Sequence, residues 1–129
     1  MTIERFEDLD IWKEARELTK IIFEITSQEP FSKDFRFRDQ IRSASGSVMD
    51  NIAEGFGRGG NKEFINFLSI SKGSVDEVRS QSYRAFDFNY ITQEILDDLI
   101  IRTIKQTKKT TNFITYLKKS ERKGPKFEG

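Results

Sequence analysis

The sequence contains neither cysteine nor histidine among its 129 residues. Without cysteine it has no disulfide framework and no thiol chemistry. Without histidine, most zinc sites, the Ser–His and Cys–His nucleophile pairs and the Glu-x-x-His motif of di-iron bundles are excluded. We therefore expect a protein that is not an enzyme and that uses no metal and no cofactor.

Proline is also scarce, since Pro30 and Pro125 are the only two, and both lie outside the strongest periodic segments. No apolar run approaches the roughly 20 residues that span a bilayer. The N-terminus, MTIERFEDLD, lacks the basic and apolar regions of a signal peptide. These absences predict a cytoplasmic protein with no membrane partner, and no small-molecule substrate is evident.

Apolar residues recur at helical spacing in four segments of the chain. The first segment covers 9–27, where apolar side chains step by 4, 3, 4 and 3 residues along one face. Further helices are predicted at 38–56, at 62–89 and from a cap at Thr92 onward. Four amphipathic helices with short connections predict an all-α fold, an antiparallel up-down-up-down four-helix bundle. We expect this single domain to occupy 1–117 and a basic, flexible tail to occupy 118–129.

The connection at 28–37 contains three phenylalanines, Phe31, Phe35 and Phe37. A surface loop of this length rarely needs three aromatic rings. They either plug one end of the bundle or contact another subunit. The plug is the favoured interpretation because bundle ends must be covered.

Small residues interrupt the second and third predicted helices at Gly46 and Gly73. An isolated glycine inside a helix costs about 1 kcal/mol relative to alanine, so both positions need a reason. Close approach of the two helix backbones is the reason that we predict. Polar side chains beside these glycines are expected to pair across this seam or at a subunit boundary. The predicted seam comprises Gln40, Gly46, Ser47, Asn51, Glu54, Gly73, Ser74 and Glu77.

Residues 55–60, GFGRGG, match the letters of the dinucleotide-binding motif GxGxxG. That motif must follow a strand in a βαβ unit, whereas this one follows a predicted helix, so a helix–helix turn is favoured. A smaller possibility is that backbone amides at the start of the third helix, with Arg58 and Lys62, hold a partner's phosphate.

Charge is distributed unevenly along a chain whose net charge is only +1. Residues 1–29 carry eight acidic and four basic side chains, whereas 102–126 carry nine basic and one acidic. This asymmetry indicates an anionic partner or head-to-tail self-association, although a solvated helix face would produce the same pattern. The candidate anion-binding residues are Arg42, Arg58, Lys62, Arg102, Lys105, Lys108, Lys109, Lys118, Lys119, Arg122 and Lys123.

Several short blocks resemble one known family. These blocks are FEDLDIW at 6–12, DQIRSA at 39–44, NIAEGFGR at 51–58, and the later pairs Glu63-Phe64 and Gly73-Ser74. Together they resemble the four-helix-bundle proteins of the 23S ribosomal RNA intervening-sequence type. Ser43 departs from the pattern, which often has a second arginine there.

The resemblance implies an up-down-up-down bundle that assembles into a homo-oligomeric ring, typically a pentamer. It also implies a related fold in the accessory protein of diversity-generating retroelements, which is thought to bind nucleic acid. No established catalytic activity comes with the family. Two functions stay open: an oligomeric module that binds RNA, DNA or a ribonucleoprotein, and a protein-interaction ring without a nucleic-acid role.

Overall fold

The computed structural model describes residues 3–120, which contain helices and their connections and no strand. Its elements are a 3-10 helix at Phe6–Asp8, α1 at Asp10–Thr26, a 3-10 helix at Phe31–Lys33, α2 at Phe35–Gly57, α3 at Asn61–Asp87 and α4 at Gln93–Ser120. The predicted all-α fold is confirmed. Helix α4 continues three residues beyond 117, and the remainder of the predicted tail lies outside the described residues.

Hydrogen bonds between helices fix their relative direction. Ser74 of α3 donates to the Ser47 hydroxyl of α2 at 3.0 Å, and Ser71 donates to the Val48 carbonyl at 2.8 Å. Residues later in α2 therefore pair with residues earlier in α3, so the two helices run in opposite directions. Asn61, the first residue of α3, bonds to the Leu117 carbonyl near the end of α4. Neighbouring helices therefore run antiparallel, as the sequence predicted.

Helix α2 begins three residues before its predicted start. The reason is Asp34, whose carboxylate accepts a hydrogen bond from the Phe37 amide at 3.3 Å and caps the helix. The predicted cap at Thr92 is confirmed, since its hydroxyl accepts a hydrogen bond from the Ile95 amide at 3.2 Å.

The buried side chains form two apolar clusters separated by a polar layer. One cluster contains Leu9, Ile11, Ala15, Val48, Ile52, Phe64, Leu68, Val75, Ile114 and Leu117. The other contains Leu18, Ile22, Phe31, Phe37, Ile41, Ala44, Val78, Ala85, Ile91, Leu96 and Leu99. Between them lie the buried polar side chains of Ser45 on α2 and Thr103 on α4, whose hydroxyls each donate to a backbone carbonyl. These hydrogen bonds offset the cost of burying polar groups.

The aromatic plug predicted for the α1–α2 connection is confirmed for two of its three rings. Phe31 and Phe37 are buried and stack at a centroid distance of 5.1 Å. Tyr90, which follows α3, lies 4.9 Å from Phe31 and donates a hydrogen bond of 2.8 Å to Asp34. Phe35 remains 64% exposed and takes no part in the plug.

The α2–α3 seam is polar where the sequence placed polar residues. Besides the Ser47–Ser74 bond, Asn51 donates to the Ser47 hydroxyl at 2.9 Å, and Arg84 reaches Gln40 at 3.5 Å.

The two seam carboxylates do not meet. Glu54 pairs with Arg58 on its own helix, and both Glu54 and Glu77 are exposed. Since Ser47 lies opposite Ser74, Glu54 is level with Phe67, about 15 Å along the axis from Glu77.

The predicted close approach at Gly46 and Gly73 is wrong. A Cβ atom added at either position would meet nothing within 4 Å, so neither glycine is required by packing. The close approach occurs instead at the buried Gly55. A Cβ there would lie 2.6 Å from Phe67 Cβ and 2.9 Å from the Phe64 ring. The two phenylalanines of α3 therefore pack directly onto the backbone of α2.

Candidate nucleic-acid interface

The candidate basic residues on the middle of α4 are engaged within the chain. Arg102 pairs with Asp98 at 2.8 Å, and Lys105 and Lys109 reach Glu14 of α1 at 3.1 and 2.8 Å. Burial alone would raise the pKa of Glu14, but hydrogen bonds from Lys109 and Lys105 outweigh it and lower the pKa. The hydrogen bond to Glu14 likewise raises the pKa of Lys109. The acidic first helix and basic fourth helix thus meet inside one chain.

Two candidate arginines are also used within the bundle. Arg42 donates to the Thr26 hydroxyl at 2.7 Å and to the Ser27 hydroxyl at 3.1 Å, which ties α2 to the end of α1. Arg58 pairs with Glu54 at 2.9 Å and lies 5.1 Å from the Phe67 ring centroid. The Arg42 guanidinium is occupied by these hydrogen bonds, and the charge of Arg58 is neutralised by Glu54. Neither arginine is therefore the strongest candidate for binding an external anion.

Three candidate lysines remain exposed at one end of the bundle. Asn61 donates from Nδ2 to the Leu117 carbonyl and to the Ser120 hydroxyl, both at 3.0 Å. This contact holds the start of α3 against the end of α4. Lys62 of α3 is consequently brought to the same end as Lys118 and Lys119 of α4. We call these three lysines the basic end.

The backbone at the basic end adds to its positive potential. Helix α3 begins after Gly60, whose position has no side-chain cap. The uncapped amides and the helix dipole both favour an anion there, although the exposed Glu63 in the first turn opposes it. Arg122 and Lys123 follow α4 directly in sequence and lie outside the described residues. Lys108 is also exposed, but it lies about three helical turns before Lys118 on α4.

The GFGRGG segment does not form a nucleotide-binding loop. Gly55 and Gly57 lie within α2, and only Arg58, Gly59 and Gly60 connect α2 to α3. Gly59 adopts a φ of 86°, which glycine tolerates without strain. The segment is therefore a tight helix–helix connection.

Comparison with known proteins identifies the family. The model of the 23S rRNA-intervening sequence protein family matches residues 7–115. The chain belongs to this family. A crystal structure from Bacteroides thetaiotaomicron VPI-5482, described as a protein of unknown function from the S23 ribosomal protein family, has a TM-score of 0.73. It is 21% identical, and the match covers 81% of this chain and 97% of that one, which shows a shared fold. No curated protein matches this chain.

Sequence reasoning missed a basic row on α1 of this family member. Lys13, Arg16 and Lys20 occupy successive turns of one helix face and are followed by the exposed Phe23. None of the three has an ion-pair partner within residues 3–120. The segment carries more acidic than basic residues overall, which concealed the row. The steps of 3, 4 and 3 residues could have revealed it.

A groove on the surface of the described bundle lies beside this basic row. It has a volume of about 580 Å³, lies between α1 and α2 and is lined by Lys13, Arg16, Glu17, Thr19, Lys20, Phe23 and Met49. Within residues 3–120 no group of three or more metal-ligating side chains comes together. No helix in that range is long and apolar enough to cross a membrane.

Proposed function

We propose that this protein is a non-enzymatic homo-oligomeric module that binds RNA, DNA or a ribonucleoprotein through its basic end. The observation that carries the proposal is the Asn61 contact with Leu117 and Ser120. It gathers exposed lysines that are more than 50 residues apart in sequence. Phosphate groups are the anions that such a cluster suits, and neutralising them releases counterions.

The basic end fits this role better than the middle of α4 does. Lys105 and Lys109 already share the Glu14 carboxylate, and withdrawing them would leave that carboxylate without its ion pairs. Lys118 and Lys119 have no such intramolecular partner among the described residues and are exposed. Because binding rests on phosphates and not on base edges, we expect little sequence preference.

Salt dependence of binding provides the test. We expect affinity for mixed RNA to fall steeply between low and moderate salt. The triple variant K62Q/K118Q/K119Q should reduce the slope of log K against log salt by about 2 on single strands. A double variant, K33Q/K72Q, serves as the control, because Lys33 pairs with Glu29 away from this end. An unchanged slope in the triple variant would contradict the proposal.

A protein-interaction ring is the second candidate, and a specific observation favours it. Ile101 and Ile104 are 66% and 51% exposed, one turn apart on the outward face of α4. Exposed apolar pairs on one helix face are typical of protein interfaces. A pentamer, which the family resemblance implies, would use such a face between subunits.

Sedimentation of the protein with and without nuclease treatment distinguishes the two candidate functions. An I101S/I104S variant should sediment as a smaller species if this face joins subunits. If the oligomer forms in wild-type protein and no RNA or DNA is bound at any salt concentration, the interaction ring is favoured and the nucleic-acid role is not.

A further inference from the structure

We propose that the groove between α1 and α2 binds single-stranded nucleic acid, with bases stacking on Phe23. This surface is separate from the basic end, and its chemistry differs because it combines cations with the exposed aromatic ring of Phe23. The pattern of a basic groove lined by aromatic side chains is the one that binds single strands without sequence preference.

The cations of this groove are free to bind an external anion. Lys13, Arg16 and Lys20 extend for about 10 Å along α1 and face the groove without ion-pair partners within residues 3–120. Glu17 is the one carboxylate among the lining residues and reduces the positive potential. Glu14, the neighbouring carboxylate on α1, is held by Lys105 and Lys109 on the other side of the helix. The net charge of the lining is therefore positive.

One exposed aromatic ring, that of Phe23, lies at the end of the row of cations and lines the groove. Phe23 is 58% exposed, and the Arg42 guanidinium lies 4.3 Å from its ring centroid. Arg42 is fixed there by its bonds to Thr26 and Ser27. At the other end, Arg16 lies 5.8 Å from the Trp12 ring centroid. The guanidinium of Arg42 thus holds Phe23 from one side and leaves ring surface exposed for a base.

Charge and ring exposure together favour a nucleic acid over an acidic protein segment. An acidic peptide would be attracted to the lysines but would gain little from an exposed phenyl ring beside them. A single strand uses both, since its phosphates follow the cations and an unpaired base can stack. A duplex keeps its bases paired and could use the cations alone.

The chain offers a matched control for Phe23. Phe35 is 64% exposed, and the Arg38 guanidinium lies 5.0 Å from its ring centroid. The two rings therefore have similar exposure and similar cation contacts, but Phe35 is not part of the α1–α2 groove. Lys33, paired with Glu29, is the corresponding control for Lys20.

The test is fluorescence anisotropy with a labelled oligothymidylate of about 12 nucleotides, within the usual site size of such surfaces. We expect F23L and K20Q each to weaken binding about fivefold to tenfold, while F35L and K33Q leave it unchanged. Emission of Trp12, the only tryptophan, should change on binding in wild-type protein. Circular dichroism would establish that each variant remains folded.

Three outcomes would overturn the inference. They are wild-type affinity in F23L, equal affinity for a duplex of the same length, and equally tight binding of a poly-glutamate peptide. Failure here is distinguishable from failure of the proposed function. These three comparisons are made in the K62Q/K118Q/K119Q background, which removes the lysines of the basic end, and adding F23L there should still weaken binding of the single strand.

Discussion

Ser74 of α3 donates a hydrogen bond of 3.0 Å to the hydroxyl of Ser47 on α2, which also accepts from Asn51. This bond lies across the seam that the small residues of both helices mark in sequence. It fixes which residues of the two helices are level, and thereby places Gly55 opposite Phe67.

Gly55→Ala should destabilise the protein by about 1–3 kcal/mol, because the added methyl group would overlap Phe67 Cβ at 2.6 Å. Gly73→Ala should instead stabilise it by about 0.5–1 kcal/mol, because that position is open and alanine favours the helix. The urea midpoints of the two variants measure this difference. If the Gly55→Ala variant had the same free energy of unfolding as wild type, α2 and α3 could move apart at this contact without loss of stability.

Phe31→Ala should destabilise the protein by about 3–5 kcal/mol, since Phe31 is fully buried between Phe37 and Tyr90. Phe35→Ala, four residues later, should change the free energy of unfolding by less than about 0.5 kcal/mol because Phe35 is exposed. Thermal unfolding of the two variants compares the buried ring with the exposed one. Similar losses for both would argue against the aromatic plug.

Glu14→Gln should cost about 0.5–1 kcal/mol at neutral pH, a modest value because the ion pairs with Lys105 and Lys109 are partly exposed. The folded pKa of Glu14 is lowered, so its contribution is complete above the unfolded value near 4.5. The contribution disappears as pH falls through the lower folded pKa. Urea unfolding from neutral to acidic pH should show the variant and wild type converging. Glu24→Gln, at an exposed position of α1, is the control for replacing a carboxylate on this helix and should change the free energy of unfolding by less than about 0.5 kcal/mol.

Asn61→Ala should destabilise the protein by about 1–2 kcal/mol, because the Leu117 carbonyl and the Ser120 hydroxyl lose a donor. Amide hydrogen exchange should accelerate in the last turns of α4, where the side chain is bound. Affinity for RNA should fall as well if the basic end depends on this contact. Asn66→Ala, at an exposed position on α3, is the control for a general loss of helix stability.

The helices were predictable because their apolar spacing is regular, and the bundle followed from their number and short connections. The position of the closest helix contact was not predictable. Gly46, Gly55 and Gly73 look alike in sequence, and only the side chains opposite them distinguish them. Gly55 cannot accept a side chain because Phe64 and Phe67 lie against it. Their position depends on the register between α2 and α3.

The candidate site was predictable in composition but not in arrangement. The basic content of the C-terminal third is visible in the sequence, but the pairing of Lys105 and Lys109 with Glu14 depends on α1 lying beside α4. Conversely, the excess of acidic residues in the first 29 concealed the basic row on α1. The net charge of a segment sums over all faces of a helix, so it does not reveal a face that carries charge of the opposite sign.

The layer of buried hydroxyls between the two apolar clusters divides the bundle into two cores. Side chains on opposite sides of this layer share few neighbours, so substitutions in the two halves should combine additively. A double variant with one substitution in each cluster should therefore lose about the sum of the two single losses of stability.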